Sequence, residues 1–431
     1  MSTAVSSDVS VVQKHVLTSR NFRLLWLGQA VSTFGDKFTE IAIPIFVFNI
    51  TGSAAQLGLA FLVQTLATLL FGLYAGVMAD RWNRQRTMIG TDILRAIIVV
   101  AVLGIPLLDT TLEVQLALLY ALGFTAAAVK QFFTPAKVAT IPDTVSENQL
   151  VSANSWDQAT ATLVGFFGFA VAGAMIGLLG TSIAFAVDAG TFLLSALFIS
   201  LMRLPKADTA VTETDTPVQK ESVLAGIKVG FQIVWGKPIL KGTVILSLIA
   251  PLAVGATQAL LLVFARETLQ AGDFGFGLLE GIFGLGIAFG AFILSRYGRN
   301  VNRGKLLSAG VIGMGVGQLL AVAFPILLLQ IGDFSSAVLL GVALPAFFLG
   351  AACNAAIFIG IRTIVQENAP RAMIGRVFSV VMVVSSAAIA LGAGAAGLAD
   401  LFGVNVMLFI WGFVLLLSGI GAMSWKTFRE A

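Results

Sequence analysis

The chain has 431 residues, of which 58% are hydrophobic and only 11% charged, with a formal net charge of +4. A soluble domain carries about 25% charged residues, so a water-facing surface cannot be built from this composition, whereas a lipid-facing one can be apolar. The single cysteine, Cys353, excludes an internal disulfide framework, and the single histidine, His15, excludes His-based metal sites and Ser-His or Cys-His pairs within the apolar region.

Residues 1–20 are polar and lack the apolar core of a signal peptide, so the N-terminus is expected to start and stay in the cytoplasm. Apolar stretches of about 20 residues cross a bilayer. Six are predicted in the first half, at 22–48, 55–78, 88–108, 115–136, 152–177 and 181–202. A polar stretch follows at 203–237. Its Thr209–Pro217 segment reads as a flexible linker, and Val223 to Trp235 as a short amphipathic helix on the membrane surface. Six further spans are predicted at 238–264, 276–295, 305–328, 335–359, 376–398 and 402–424. The expected organisation is a six-helix bundle over 1–203, a cytoplasmic linker with its amphipathic helix over 204–237, and a second six-helix bundle over 238–431.

With the N-terminus inside, 22 of the 26 lysines and arginines fall in cytoplasmic segments. Arg266 alone is outside, and Lys37, Arg95 and Lys130 lie within spans. The positive-inside rule therefore places both termini and the linker in the cytoplasm. It also explains the basic balance without a nucleic-acid partner. The two halves look related, as in transporters built from repeats. Arg81-Trp82-Asn83-Arg84 after span two matches Arg296-Tyr297-Gly298-Arg299 after span eight, and Ile141-Pro142-Asp143 matches Val365-Gln366-Glu367.

The segment from Gly72 to Arg86 resembles the signature loop of the major facilitator superfamily, through Gly76, Asp80, Arg81, Arg84 and Arg86. Asn83 stands where glycine is usual, and Asn tolerates a left-handed turn. The resemblance implies an all-α membrane protein, with twelve transmembrane helices in two pseudo-symmetric six-helix halves around a central cavity. It also implies that Asp80 and its arginines form a gating loop, tying the halves together when the carrier faces outward. Within the superfamily the chain is similar to the third drug:proton antiporter family of macrolide effluxers and siderophore exporters. The residues carrying this are Asn21–Gln29, Ser32–Asp36, Asp92–Arg95 and Gly375–Ser379. Lysophospholipid flippases and ferroportin-like metal exporters share the Gly-Asp pair of span one, so the substrate class stays open.

Ionisable groups within spans are costly and mark function. Asp36 and Glu40 are i and i+4 near the middle of span one, hence on one helical face, and are the first candidates for binding and releasing a proton. Lys37 is placed to neutralise Glu40. Asp92 and Arg95, at i and i+3, are expected to form a structural ion pair. Lys130 either snorkels toward the inner surface or attracts an anionic group. Asp157, Asp188 and Glu280 are further candidates for the central cavity. Gly392-Ala393-Gly394-Ala395-Ala396-Gly397 matches the dinucleotide-binding pattern literally but sits in an apolar span with no strand before it, and is assigned to helix packing.

The expected function is export of a small amphipathic solute by alternating access, coupled to protons. No phosphate-binding loop of the Walker type is present, and neither a cofactor nor a metal is called for. The expected partners are the solute, protons and membrane lipid, with the chain acting as a monomer in the cytoplasmic membrane. The rivals are an uncoupled lipid, metal or metabolite transporter and, from another class, a membrane-embedded enzyme or a sensor.

Overall fold

A computed structural model of the chain describes residues 16–79, 82–146, 149–204, 223–297, 301–370 and 373–430. The described residues contain no strand. In chain order the helices of the first half are α1 (Arg20–Thr51), α2 (Ala54–Ala79), α3 (Arg84–Gly104), α4 (Leu112–Thr144), α5 (Leu150–Leu179) and α6 (Thr181–Ser200). After α7 (Val223–Gly236) come α8 (Pro238–Val263), α9 (Gly272–Tyr297), α10 (Arg303–Ile331), α11 (Ser336–Asn368), α12 (Ile374–Ala395), the short α13 (Ala399–Phe402), α14 (Val404–Ser424) and α15 (Lys426–Glu430). Helix α7 stands where the amphipathic helix is predicted. The 209–217 segment lies outside the described residues.

A helix of about 20 residues is long enough to cross the hydrocarbon core. Among the described residues eleven helices are both long and apolar enough. The twelfth long helix, α1, has 32 residues and falls short in apolarity, because Arg20, Arg23, Asp36, Lys37 and Glu40 lie along it. Large apolar side chains such as Leu70, Leu197, Phe358 and Leu417 stay exposed, as expected of surfaces that meet lipid rather than water. Helix α1 ends at Gly52, whose left-handed φ of 62° turns the chain into α2 while its N–H caps the Phe48 carbonyl.

Each half packs on itself, α1 against α5 and α6, α3 against α4 and α6, and α2 against α4, then α10 against α11 and α14, α8 against α12, and α9 against α11. The internal repeat appears in matching detail. Asn83 caps α3 by accepting from the Arg86 N–H, and Asn302 caps α10 by accepting from the Lys305 N–H. The next residue of each then pairs with the acid near the end of the following helix, Arg84 with Asp143 at 3.0 Å and Arg303 with Glu367 at 3.4 Å. This corrects the register read from the sequence, since Arg84 corresponds to Arg303 and not to Arg299. Asn83 is also not left-handed (φ −67°, ψ 110°). It serves as a helix cap, a role for which Asn suits better than Gly.

The halves meet along α5 with α9 and α2 with α12, and the meeting is closest at the end carrying the α1–α2, α5–α6 and α8–α9 turns. A β-carbon on Gly58 would stand 2.1 Å from the Ala393 carbonyl oxygen, and one on Gly277 2.4 Å from that of Phe169. Such contact needs glycine. In the 392–397 run Gly397 adds to this contact, with a β-carbon 2.9 Å from that of Ala55, while Gly392 packs α12 on α8 of its own half, where a β-carbon would stand 1.9 Å from the Leu252 carbonyl oxygen. Toward the other end α5 and α9 part, and Asn154, Gln158 and Phe292 line an open space between them. The molecule is thus sealed at the loop end and open at the end where the described chain begins and ends.

Asp400, between α12 and α14, latches this seal. It accepts from Ser53 Oγ (2.7 Å) and from the N–H groups of Ala54 (2.8 Å) and Ala55 (3.2 Å), so a carboxylate of the second half caps the N-terminus of α2 in the first. Hydrogen bonds to a charged group contribute about 1.5–3 kcal/mol. Asp400→Ala is therefore expected to shift the population about tenfold toward separation at this end. Distances between spin labels at Thr110 and Asp333 would report it, and an unchanged distribution would refute the latch.

Candidate functional site

The site begins with the charges that cost α1 its apolarity. Gly35 lets α6 press close, since a β-carbon there would stand 1.8 Å from Thr191 Oγ1. Asp36, one residue on, is thereby held against the interior of the first half. Helix α3 brings Arg95 to Asp36 Oδ1 as an ion pair, and α4 brings Lys130 Nζ to Oδ2 at 3.1 Å. Lys130 also reaches Glu40 Oε1 at 3.4 Å, and Lys37 holds Glu40 Oε2 at 2.5 Å. The result is an alternating chain, Arg95–Asp36–Lys130–Glu40–Lys37, drawn from three helices.

Aromatic faces support the cations at its two ends. The Arg95 guanidinium lies 4.0 Å from the Phe192 ring centroid and the Lys37 ammonium 4.6 Å from that of Phe169. The chain is wettest in its middle, with the side chains of Lys130 and Glu40 41% and 38% exposed, and drier at Asp36 (12%) and at Lys37 (17%). It forms part of the wall of an open cavity of about 1150 Å³, which is also lined by Gln64, Thr65, Thr68 and Gln131, with Ser386 and Ile389 from the second half. Asp188 borders the same cavity, and its Oδ2 accepts from the Thr39 hydroxyl.

Of the candidates predicted from the sequence, Asp36, Lys37, Glu40, Lys130 and Asp188 come together here. Lys130 does not snorkel away, because two carboxylates hold it. The expected Asp92–Arg95 ion pair is not formed. Arg95 turns from its own helix to Asp36 of α1, where its guanidinium also lies over the Phe192 ring, and leaves Asp92 fully buried with no hydrogen-bond partner for either oxygen among the described residues. Asp157 is also corrected. It is bound by Lys137 at 2.9 Å between α4 and α5, and does not line the cavity. Because that pair only joins neighbouring helices, Asp157→Asn is expected to leave transport within about threefold and to lower stability by about 1 kcal/mol. Flux and thermal unfolding of the purified variant check this.

Glu280 stands on α9 beside a separate, narrow cavity of the second half. That cavity is lined by Thr257, Gln258, Phe283, Gln318 and Phe347, and Glu280 has no ion pair among the described residues. In the predicted gating loop Gly76 lies on α2, Arg84 is tied within its own half to Asp143 and to the Ala139 carbonyl, and Arg86 is exposed. Asp80 and Arg81 lie outside the described residues. Sequence reasoning missed Asp400, and its only signal was an acid in the short segment between the last two spans, opposite a helix N-terminus.

The sequence model of the Major Facilitator Superfamily matches residues 25–393. The chain is 30% identical to the multidrug efflux pump Tap of Mycolicibacterium fortuitum, over 96% of this chain and 98% of that one. It is 26% identical to macrolide efflux protein A of Streptococcus pyogenes, over 89% and 90% of the two chains. Among solved structures, it superposes with a TM-score of 0.71 on a bacterial homolog of the human lysosomal transporter Spinster in an inward-facing, unoccupied conformation. The identity there is 14%, with 97% and 98% of the chains covered.

Proposed function

The chain belongs to the Major Facilitator Superfamily, and from that premise we propose that it exports a small amphipathic solute, drug-like or siderophore-like, by alternating access in exchange for protons. The observation that carries this reading is the position of Asp36, a carboxylate bridging Arg95 and Lys130 in the wall of the cavity. Intramembrane charge is not kept for packing, since a small neutral residue packs there at lower cost. A proton on Asp36 ends its hold on both cations at once. The balance between α1, α3 and α4 then differs between the protonated and unprotonated carrier, and a proton gradient can bias the conformational equilibrium. Relatives named as multidrug and macrolide efflux proteins support an amphipathic cargo.

In this reading the protein is a monomer and not an enzyme, it uses no cofactor, and it lies in the cytoplasmic membrane. Its halves are 1–203 and 238–431, joined by the 204–237 linker. Both termini are cytoplasmic, as the distribution of Lys and Arg favours. The sealed end is then the outer one, and the conformation is inward-facing. The Gly76–Arg86 loop is the inner gate. Cells expressing the protein are expected to retain less of a fluorescent macrolide or siderophore conjugate than cells carrying an empty vector. Equal retention of every compound in such a panel would overturn export.

A further inference from the structure

Asp92 is a feature the coupling scheme does not use. It lies on α3 one turn before Arg95, is 0% exposed, and neither of its carboxyl oxygens has a hydrogen-bond partner among the described residues. Two other buried polar groups of the same half are in the same condition, Ser195 Oγ on α6 and Gln29 Nε2 on α1. The Ser195 hydroxyl stands beside the Asp92 carboxyl without reaching hydrogen-bond geometry. The charges facing Asp92 are Arg95 from its own helix and Asp36 from α1. Helix α6 presents the Ser195 hydroxyl, and Lys130 of α4 is engaged with Asp36 and Glu40. Residues at i and i+3 of a helix are neighbours, so a rotamer change brings the Arg95 guanidinium from one acid to the other.

A buried carboxylate with neither a counter-ion nor a donor is among the costliest arrangements in a protein interior, and a carboxyl in that position keeps its proton instead. We propose that Asp92 is a second proton-carrying carboxyl, and that Arg95 passes between Asp36 and Asp92 so that a proton entering at one leaves from the other. The inference rests on the reading of Asp36 as the coupling residue. In the inward-facing state Arg95 pairs with ionised Asp36, and Asp92 is neutral. When the cavity opens outward, Asp36 takes a proton from the outer side and releases the guanidinium. Arg95 turns to Asp92, which ionises and gives its proton to water.

One proton enters, one leaves, and the number of charges buried in the half is unchanged. That constancy removes the cost of leaving Arg95 unpaired when Asp36 is protonated. The position of the unpaired groups fits an exit toward the cytoplasm. Asp92 precedes Arg95 on α3, Gln29 precedes Asp36 on α1, and Ser195 follows Asp188 on α6, so all three lie on the side of the cluster nearer the chain termini.

Infrared spectroscopy of the purified full-length protein tests the proposal without any transport. The spectrum is expected to contain a protonated-carboxyl stretch that disappears in Asp92→Asn. It should also disappear in Asp36→Asn, because Arg95 then turns to Asp92 and ionises it, and persist in Arg95→Gln, where neither acid has the guanidinium to exchange. A carboxyl region unchanged by Asp92→Asn would overturn the proton at Asp92. A band that survives Asp36→Asn would overturn the exchange, and that arm stands even if Asp92→Asn fails to fold. The expected pattern in a carrier whose flux ignores a pH gradient would support the exchange and sink only the reading of proton-coupled export.

Discussion

Asp36→Asn is expected to abolish accumulation driven by a pH gradient, with a loss of about 100-fold or more, while the protein still inserts and folds. The substitution keeps the shape of the side chain and removes the charge that joins Arg95 to Lys130. Lys130 then faces an amide, Arg95 is left to turn to Asp92, and the bridge between α3 and α4 is lost. Removing one partner of a buried ion pair costs about 3–5 kcal/mol, and each 1.4 kcal/mol is about tenfold in a population. The variant also loses the only group in the bridge that can change its hold on both cations by taking one proton. Some downhill exchange is expected to remain, because the cavity walls are intact. Glu40→Gln should cost less, about tenfold, since Glu40 is more exposed and Lys37 retains the neighbouring Phe169 ring. Full pH-driven accumulation by both variants in proteoliposomes would move coupling elsewhere, with Asp188 and Glu280 next in line.

Gly277→Val is expected to reduce flux by at least about tenfold, by a mechanism that involves no charge. At this position α9 of one half crosses α5 of the other so closely that a β-carbon would meet the Phe169 carbonyl oxygen at 2.4 Å and the Gly173 Cα at 3.0 Å. Both obstacles are helix backbone and cannot rotate away. Overpacking of this kind costs about 1–3 kcal/mol where the structure can yield, and here the least resistant response is for the halves to part. The sealed state is thereby depleted. A carrier that cannot close one end cannot alternate, however well it binds its cargo. The Thr110–Asp333 spin-label distance should lengthen in the variant, whereas wild-type flux with an unchanged distance would show that the crossing tolerates a side chain.

How much of this was legible in the sequence differs from one residue to the next. The spans follow from apolar length, a local property, and the charges of α1 were visible because intramembrane charge is rare. The Asp36–Glu40 face follows from helical spacing alone. Spacing also produced the main error. It shows that Asp92 and Arg95 are neighbours, but not that another helix offers Arg95 a carboxylate while an aromatic ring lies under its guanidinium. Asp157 was misplaced for a related reason. Span four was ended at residue 136, beside Pro135, yet α4 continues through Pro135 and Pro142 to Thr144, and so carries Lys137 to Asp157. Proline is tolerated in membrane helices when neighbours satisfy the freed backbone groups. The repeat was legible as a pattern but not in register, because the matching features are helix caps and the ion pairs that follow them. The Asp400 latch joins residues nearly 350 positions apart, and no single-sequence rule pairs them.

The measurement that tests proton-coupled export most directly is proton movement caused by the solute itself. The purified protein is placed in liposomes holding a pH indicator, with no imposed gradient, and a solute that cells expressing the protein fail to retain is added outside. Antiport predicts that solute entry drives protons out, so that the interior becomes alkaline in step with uptake, and that Asp36→Asn takes up solute without the pH change. Solute uptake by the wild-type protein with no movement of protons would contradict the account.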